Sequence, residues 1–476
     1  MAPIGVDEWV AQSGERREQQ PGWRRALARL GERVGWWPRL GLLALAGFGY
    51  AHLGLNVNEE NVAFNAVLYA ILALGLNIVV GWAGLLDLGY IAFFGFGAYG
   101  YALFSSHAFG NLALSSGGVH LPVIATLPIV LVAAGFVGVI IGLVALRLSG
   151  DYLAIVTLFV GQAFVEAANN VAPSVLGGSN GLFNLDPFHS FGGTINSTLD
   201  YYYLAGAVLI VLMALMHLLD TSRTGRAWRA LRDDPLAAEV MTIPVNAVKV
   251  MAFSFGAIVA AFAGVIFAGQ QSSVFSTNFS ANTLILIYAC LVLGGAGSIA
   301  GAVLGGIVVT VAQALLSSPL DSAYLFYGLI VVVLFARVRP WRHLAAVIAG
   351  IVAFGFAAHA IVGAISHSAI SGHPGSVGWF AGALSHYVIV PGSSSLSFGN
   401  VLYVVMICAL VGVVQLKGVV RLIAAVPTVY IAICCWEARL TLDPGITAQI
   451  MIGAILIVMM GARPQGLLGT RQVEVV

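Results

Sequence analysis

Long apolar runs separated by short polar breaks recur along the chain from Arg39 to Gly461. A hydrocarbon core about 30 Å thick needs roughly 20 such residues per helical crossing. The pattern predicts crossings near 39–55, 62–81, 88–106, 121–146, 152–168, 200–219, 250–269, 283–295, 299–316, 323–336, 343–364, 399–416, 422–436 and 446–461. In lipid every backbone N–H and C=O has to be bonded internally, so these runs predict helices. The reading is an all-α polytopic membrane bundle of about 12–14 transmembrane segments, including re-entrant or broken helices. Two runs are weak as full crossings. The run at 283–295 is short and enters the glycine-rich Gly294–Gly301 stretch, and that at 88–106 follows a polar break from Gly81 to Asp87. Interrupted helices are common where a solute path crosses a membrane.

Composition agrees with this pattern. Of 476 residues 59% are hydrophobic and 9% charged, against about 25% charged in soluble domains, which leaves no room for a large soluble domain. The 57 glycines fit membrane helices, where small residues allow close approach. A net charge of +1 excludes a large basic surface for nucleic acid. Cys290, Cys408, Cys434 and Cys435 lie in apolar runs without metal-ligand spacing and read as small core residues.

Charge gives the orientation. With the amino terminus inside, alternation of the spans puts 20 of the 21 Lys and Arg residues on the cytoplasmic side and leaves only Arg439 outside. The external loops 107–120, 169–199, 270–282 and 365–398 contain no Lys or Arg. Residues 1–38 read as a cytoplasmic tail, too long and mixed in charge for a cleaved signal peptide; Gly22–Trp37 is a candidate surface helix. The carboxyl terminus also falls inside.

The most polar internal stretch joins the spans ending near 219 and beginning near 250. In it Asp234 is a plausible N-cap, with Pro235 well placed at the first helical position of a short helix that runs to Met241 and stops before Pro244. Such a helix across the cytoplasmic mouth suits a docking element for another protein; a solvated connector is the alternative.

The string GRAWRALRDDPLAAEVM (Gly225–Met241) resembles the cytoplasmic coupling loop of LivM-type permeases, the membrane subunits of branched-chain amino acid ABC importers. ALGLNIVVGWAGLLDLGYIAFFGFGAYGYAL (Ala73–Leu103), LRLSGDYLAIVTL (Leu146–Leu158), GGSNGL (Gly177–Leu182), GGAGSIAGAVLGG (Gly294–Gly306) and RPQGLLG (Arg463–Gly469) resemble that family in the same order. The resemblance implies two cytoplasmic ATPase subunits, a second related permease and an extracytoplasmic solute-binding protein as partners, in the inner cell membrane. It implies that Arg226, Asp234, Pro235, Ala237, Ala238, Glu239 and Met241 belong to the ATPase-coupling loop. Thr242 stands where the family motif leads one to expect glycine.

The resemblance divides the chain into the tail 1–38, a permease core 39–340 with its coupling loop 220–249, additional helices 341–445 not typical of the family, and a final helix and tail 446–476. Leu320–Pro340 and Leu442–Pro464 echo each other, each pairing Leu-Asp with a helix that ends at Arg and Pro. Neither of the two lysines, Lys249 and Lys417, is followed by Ser or Thr, so the chain lacks a P-loop and an ATPase site of its own. ATP and magnesium are expected on partner subunits, with no cofactor or metal held by this chain.

The polar residues at membrane depth are Asn65, Asn77, Asp87, Gln162 and Glu166, and the candidates for a translocation pathway are Asn77, Gly84, Asp87 and Glu166. Asp87 sits at the predicted helix break, Glu166 near the outer end of its span, and Asn77 suits a bond between helices. His52 and His217, near span ends and without partners at metal-ligand spacing, read as interfacial side chains. Asp87 and Glu166 also support an alternative class, an ion-coupled secondary transporter.

Overall fold

The computed structural model describes residues 36–52, 56–106, 119–148, 150–190, 193–337, 341–373, 381–392, 395–416, 418–440, 444–462 and 465–468. The predicted surface helix at Gly22–Trp37, apart from Trp36 and Trp37, and most of the two tails lie outside the described residues. Each of the fourteen predicted crossings falls on a helix. In chain order these and the loop helices are α1 (Trp36–Ala51), α2 (Val57–Leu76), α3 (Tyr90–Phe104), α4 (Val123–Ala145), α5 (Asp151–Asn170), α6 (Thr198–Thr221), α7 (Arg223–Asp233), α8 (Pro235–Val240), α9 (Val245–Gln271), α10 (Ala281–Gly294), α11 (Ile299–Ser317), α12 (Pro319–Arg337), α13 (Trp341–Ile365), α14 (Ser395–Gln415), α15 (Gly418–Cys435) and α16 (Pro444–Ala462). Among the described residues, seven helices are long and apolar enough to cross a membrane. Six shorter apolar helices accompany them, among them Tyr90–Phe104 and Ala281–Gly294. At 15 and 14 residues, the latter two rise about 22 and 21 Å and fall short of the core thickness.

Among the described residues, strands are confined to short pairs at one end of the bundle. Leu182–Phe183 pairs with Ser273–Val274, Phe188–Ser190 with Gly193–Ile195, and Ser105–Ser106 with Val119–His120, all antiparallel.

The centre of the bundle is α2 and α9, whose side chains are buried along most of their length. α9 lies against α3, α4 and α2, while α2 also packs against α6 and α11. The close approach of α3 and α9 depends on Gly97 and Gly264: a Cβ at Gly97 would strike the Ala261 carbonyl, and one at Gly264 the Phe94 carbonyl. With no hydrophobic drive between helices in lipid, such backbone proximity supplies the packing energy.

Of three apolar clusters among the described residues, the smallest gathers Val79, Ala145, Leu153 and Phe253, and two larger ones take most of the buried side chains. The larger joins α2, α3, α6, α9, α10 and α11 and takes in Ile452 and Leu456 of α16. The second gathers Phe326, Tyr327, Ile330 and Leu334 of α12 with Leu344, Val347 and Ile351 of α13 and Tyr430, Ile433 and Cys434 of α15. The two echoing helices, α12 and α16, are both 19 residues long and both touch α11, yet their buried faces belong to different clusters. Of the cysteines read as core residues, Cys290, Cys434 and Cys435 are buried, whereas Cys408 is exposed on α14. Its place in an apolar run did not specify which face of the helix it takes.

Candidate functional site

α2 continues into a π-helical turn, Asn77–Trp82, and the chain then breaks before α3. π-Turns free backbone groups from the α ladder and recur at functional sites. Here the freed geometry is fixed from the Gly294–Ser298 turn between α10 and α11. Asn77 is fully buried and its Oδ1 accepts from Gly297 N–H at 2.7 Å, while Trp82 Nε1 donates to the Gly297 carbonyl at 3.2 Å. One residue is thereby held on both sides by the broken helix.

Asp87 is also fully buried. Its Oδ1 accepts from Gly89 N–H at 2.9 Å, Leu88 N–H donates to Thr157 Oγ1 at 2.9 Å, and Tyr288 OH donates to the Asp87 carbonyl at 2.6 Å. A carboxylate and a hydroxyl thus satisfy amides at the amino end of α3, where the helix dipole favours negative charge. Asp87 Oδ2 has no hydrogen-bond partner among the described residues.

The polar loop abuts this break. α7 is N-capped by Ser222, whose Oγ accepts from Gly225 N–H at 3.2 Å. Trp228 is completely buried, donates Nε1–H to the Val248 carbonyl at 2.9 Å, and stacks on Trp82 with ring centroids 6.0 Å apart. Arg232 Nη1 donates to the Gly81 carbonyl. Gly84 adopts φ +69°, and a Cβ there would lie 2.8 Å from Arg232 Cγ. The loop and the break are one hydrogen-bonded and stacked joint.

α8 begins at Asp234, whose Oδ1 accepts from Leu236 N–H at 2.9 Å and Ala237 N–H at 3.1 Å, with Pro235 in the first turn. Leu236, Val240 and Met241 are 76%, 83% and 73% exposed, an apolar edge on an otherwise polar loop. Ala237, Glu239 and Arg226 are exposed as well, Arg226 donating to the Thr221 carbonyl at 2.8 Å. Ala238 turns inward and is 3% exposed. Thr242 takes φ +63°, the left-handed conformation for which glycine is suited, and its Oγ1 donates to the Met241 carbonyl at 2.7 Å.

The structure brings Asn77 and Gly84 to the joint with α7, sets Asp87 just before α3 with its carbonyl bonded by Tyr288, and places Glu166 elsewhere. Glu166 is exposed on α5, where its Oε2 accepts from Asn170 Nδ2 at 2.9 Å. It is nine residues beyond Thr157, about 13 Å along the helix from the Leu88 contact. The two carboxylates share no site.

Sequence reasoning missed Trp82, Trp228, Arg232 and Gly297 as members of the joint. The available signal was a tryptophan after glycine at the end of an apolar run, Trp82, and a lone tryptophan between arginines in the most polar loop, Trp228. It also missed Glu437, fully buried in a second π-turn, Trp436–Leu440, and accepting from Tyr327 OH at 2.6 Å.

A bundle of apolar helices this long, interrupted at a packed joint and carrying one polar helical loop, defines an integral membrane protein. The family model for the branched-chain amino acid transport system / permease component matches residues 58–338, and the chain belongs to that family. The high-affinity branched-chain amino acid transport system permease protein LivM of Escherichia coli (strain K12) is 34% identical over 292 residues, 56% of this chain and 66% of that protein. The LivM protein of Salmonella typhimurium is 33% identical over the same shares, so the chain spans just under two thirds of the length of these relatives. LivH of Escherichia coli (strain K12), named as a permease of the same kind of system, is 27% identical over 276 residues, 54% of this chain and 84% of that protein. No solved structure matches significantly.

Proposed function

We propose that this permease is the membrane-spanning subunit of an ATP-driven importer for branched-chain amino acids or a related small polar solute. In this reading ATP is hydrolysed by two cytoplasmic ATPase subunits, a second related permease completes the pathway, and an extracytoplasmic binding protein delivers the solute. The observation that carries it is the joint between α7 and the broken end of α2. Trp228 on Trp82 and Arg232 on Gly81 make a stiff link from an exposed loop to a helix break inside the bundle. A push on α8 by a partner at Leu236, Val240 and Met241 is then delivered to Gly297, Asn77 and Asp87, the turn that separates α10 from α11 and the start of α3. Switching between two packings of such a joint is the physical content of alternating access.

The chain lies in the inner cell membrane with both termini cytoplasmic, as the distribution of Lys and Arg supports. Residues 39–340 and the final helix form the pathway subunit, and residues 341–445 are an addition to it. The printed names of LivM and LivH favour branched-chain amino acids as cargo. Uptake of labelled leucine by vesicles from cells with and without the chain tests the proposal. ATP-dependent uptake that disappears with the chain supports it, and uptake unaffected by ATP overturns it.

A further inference from the structure

Part of the RPQGLLG string, residues 465–468, lies beyond α16 and reaches the α10–α11 turn that holds the broken end of α2. Leu467 N–H donates to the Leu293 carbonyl and Leu468 N–H to the Gly294 carbonyl, both at 2.9 Å. These carbonyls belong to the last turn of α10, whose ladder closes with Gly295 N–H on the Leu291 carbonyl at 2.9 Å. Carbonyls at a helix end have no donor from their own helix. Leu293 and Gly294 are buried, so donors from another part of the chain satisfy them here.

Glycine admits the contact. Gly466 takes φ +74°, and a Cβ on it would lie 2.6 Å from Gly295 Cα and 2.7 Å from the Val292 carbonyl oxygen. Backbone therefore rests on backbone. Leu467 and Leu468 are 42% and 45% exposed, so the main chain makes the contact while much of each side chain stays outside it. Two residues past Gly295, Gly297 is gripped by Asn77 and Trp82. The turn is thus held on one side by the α2 break and on the other by the carboxyl-terminal segment.

We propose that residues 466–468 are a latch on the joint: docked, they fix the α10–α11 turn in the packing that grips the α2 break, and undocked, they free that turn to move. Two backbone hydrogen bonds of ordinary net strength shift such an opening about 5–150-fold, a hold that can be released without unfolding the bundle. The latch rests on these contacts alone. Its part in transport rests on the importer reading: an unlatched turn yields to a push from α8 instead of passing it on.

Hydrogen exchange followed by mass spectrometry on the full chain in lipid nanodiscs tests the latch, since exchange reports the open population. In the unaltered chain the peptide carrying Leu467 and Leu468 exchanges more slowly than the same peptide free in solution; equal rates overturn the latch. A Leu467→Pro, Leu468→Pro variant lacks both donors, and its Gly297 amide, bonded to Asn77 Oδ1, exchanges faster by about 5–150-fold. Leu467→Ala, Leu468→Ala keeps both N–H groups and exchanges at Gly297 as the unaltered chain does. An unchanged Gly297 rate in the proline variant overturns the proposal, as does an alanine variant as fast as the proline one, which would put the hold in the side chains. Should the proline variant fail to insert, a chain ending at Pro464 gives the same reading. ATP-dependent leucine uptake separates the two claims. Its loss from the proline variant alone supports the latch's part in transport, and undiminished uptake with a loosened turn overturns that part. Uptake absent from the unaltered chain removes the importer reading and leaves the latch to the exchange rates.

Discussion

Trp228 is the side chain through which the loop grips the bundle, and its removal has a calculable effect. It is fully buried, stacks on Trp82 and meets Phe255 edge-on with centroids 6.0 Å apart. Replacing a buried Trp by Ala costs about 3–5 kcal/mol, and the Val248 carbonyl loses its donor as well. Since each ~1.4 kcal/mol is a factor of ten, local opening of α7 rises by about 10²- to 4 × 10³-fold. Trp228→Phe keeps most of the apolar contact and loses only the indole N–H, a cost of about 1–3 kcal/mol or roughly 5–150-fold. Arg223, Arg226, Arg229 and Arg232 put four trypsin sites in this helix. When opening and closing are fast, cleavage follows the open population. Trypsin digestion in detergent therefore ranks the rates as wild type, then Trp228→Phe, then Trp228→Ala. Cleavage of Trp228→Ala at the wild-type rate would refute the claim that this stack holds the loop.

Other residues give sharper local tests. Thr242→Gly relieves a left-handed backbone that costs a non-glycine residue about 1–2 kcal/mol, so it slows trypsin cleavage in the loop; faster cleavage contradicts the reading of that strain. Asp87→Asn keeps an acceptor for Gly89 N–H and retains leucine uptake, whereas Asp87→Ala strands that amide and loses it. Equal uptake by the two variants would show that the bond is dispensable. Gly264→Val places side-chain atoms against the Phe94 carbonyl and separates α3 from α9, at a cost of about 1–3 kcal/mol. Its thermal midpoint in detergent falls, and an unchanged midpoint would contradict close packing there.

The helices were legible because lipid leaves a helix as the way to satisfy a long apolar backbone, and apolar length is written directly in the chain. Asp234 and Pro235 were legible for a related reason: capping is decided within four residues. Packing partners were not. Trp82 and Trp228 stack across 146 positions of chain, and nothing in the periodicity of either segment names the other. The exposure of the loop shows the same limit: Ala237 and Ala238 are identical in sequence terms, yet one faces out and the other is covered. The two echoing helices illustrate it at larger scale. Similar apolar patterns put α12 into one cluster and α16 into the other, because the choice depends on the shapes of neighbours distant in sequence. Glu437 went unnoticed beside Arg439, the one positive residue that the charge pattern predicts to lie outside, and the structure shows Glu437 bonded to Tyr327 from another helix.

The central claim is that the exposed edge of α8 receives an ATPase and passes its motion to the α2 break. The most direct measurement is purification of the tagged chain from its native membrane in mild detergent, with mass spectrometry of the proteins that stay bound. The account predicts a P-loop ATPase in the complex, lost from a Leu236→Asp, Val240→Asp variant that still inserts and resists trypsin in α7 as wild type does. A chain recovered without any ATPase, and still transporting in vesicles that lack ATP, would contradict it.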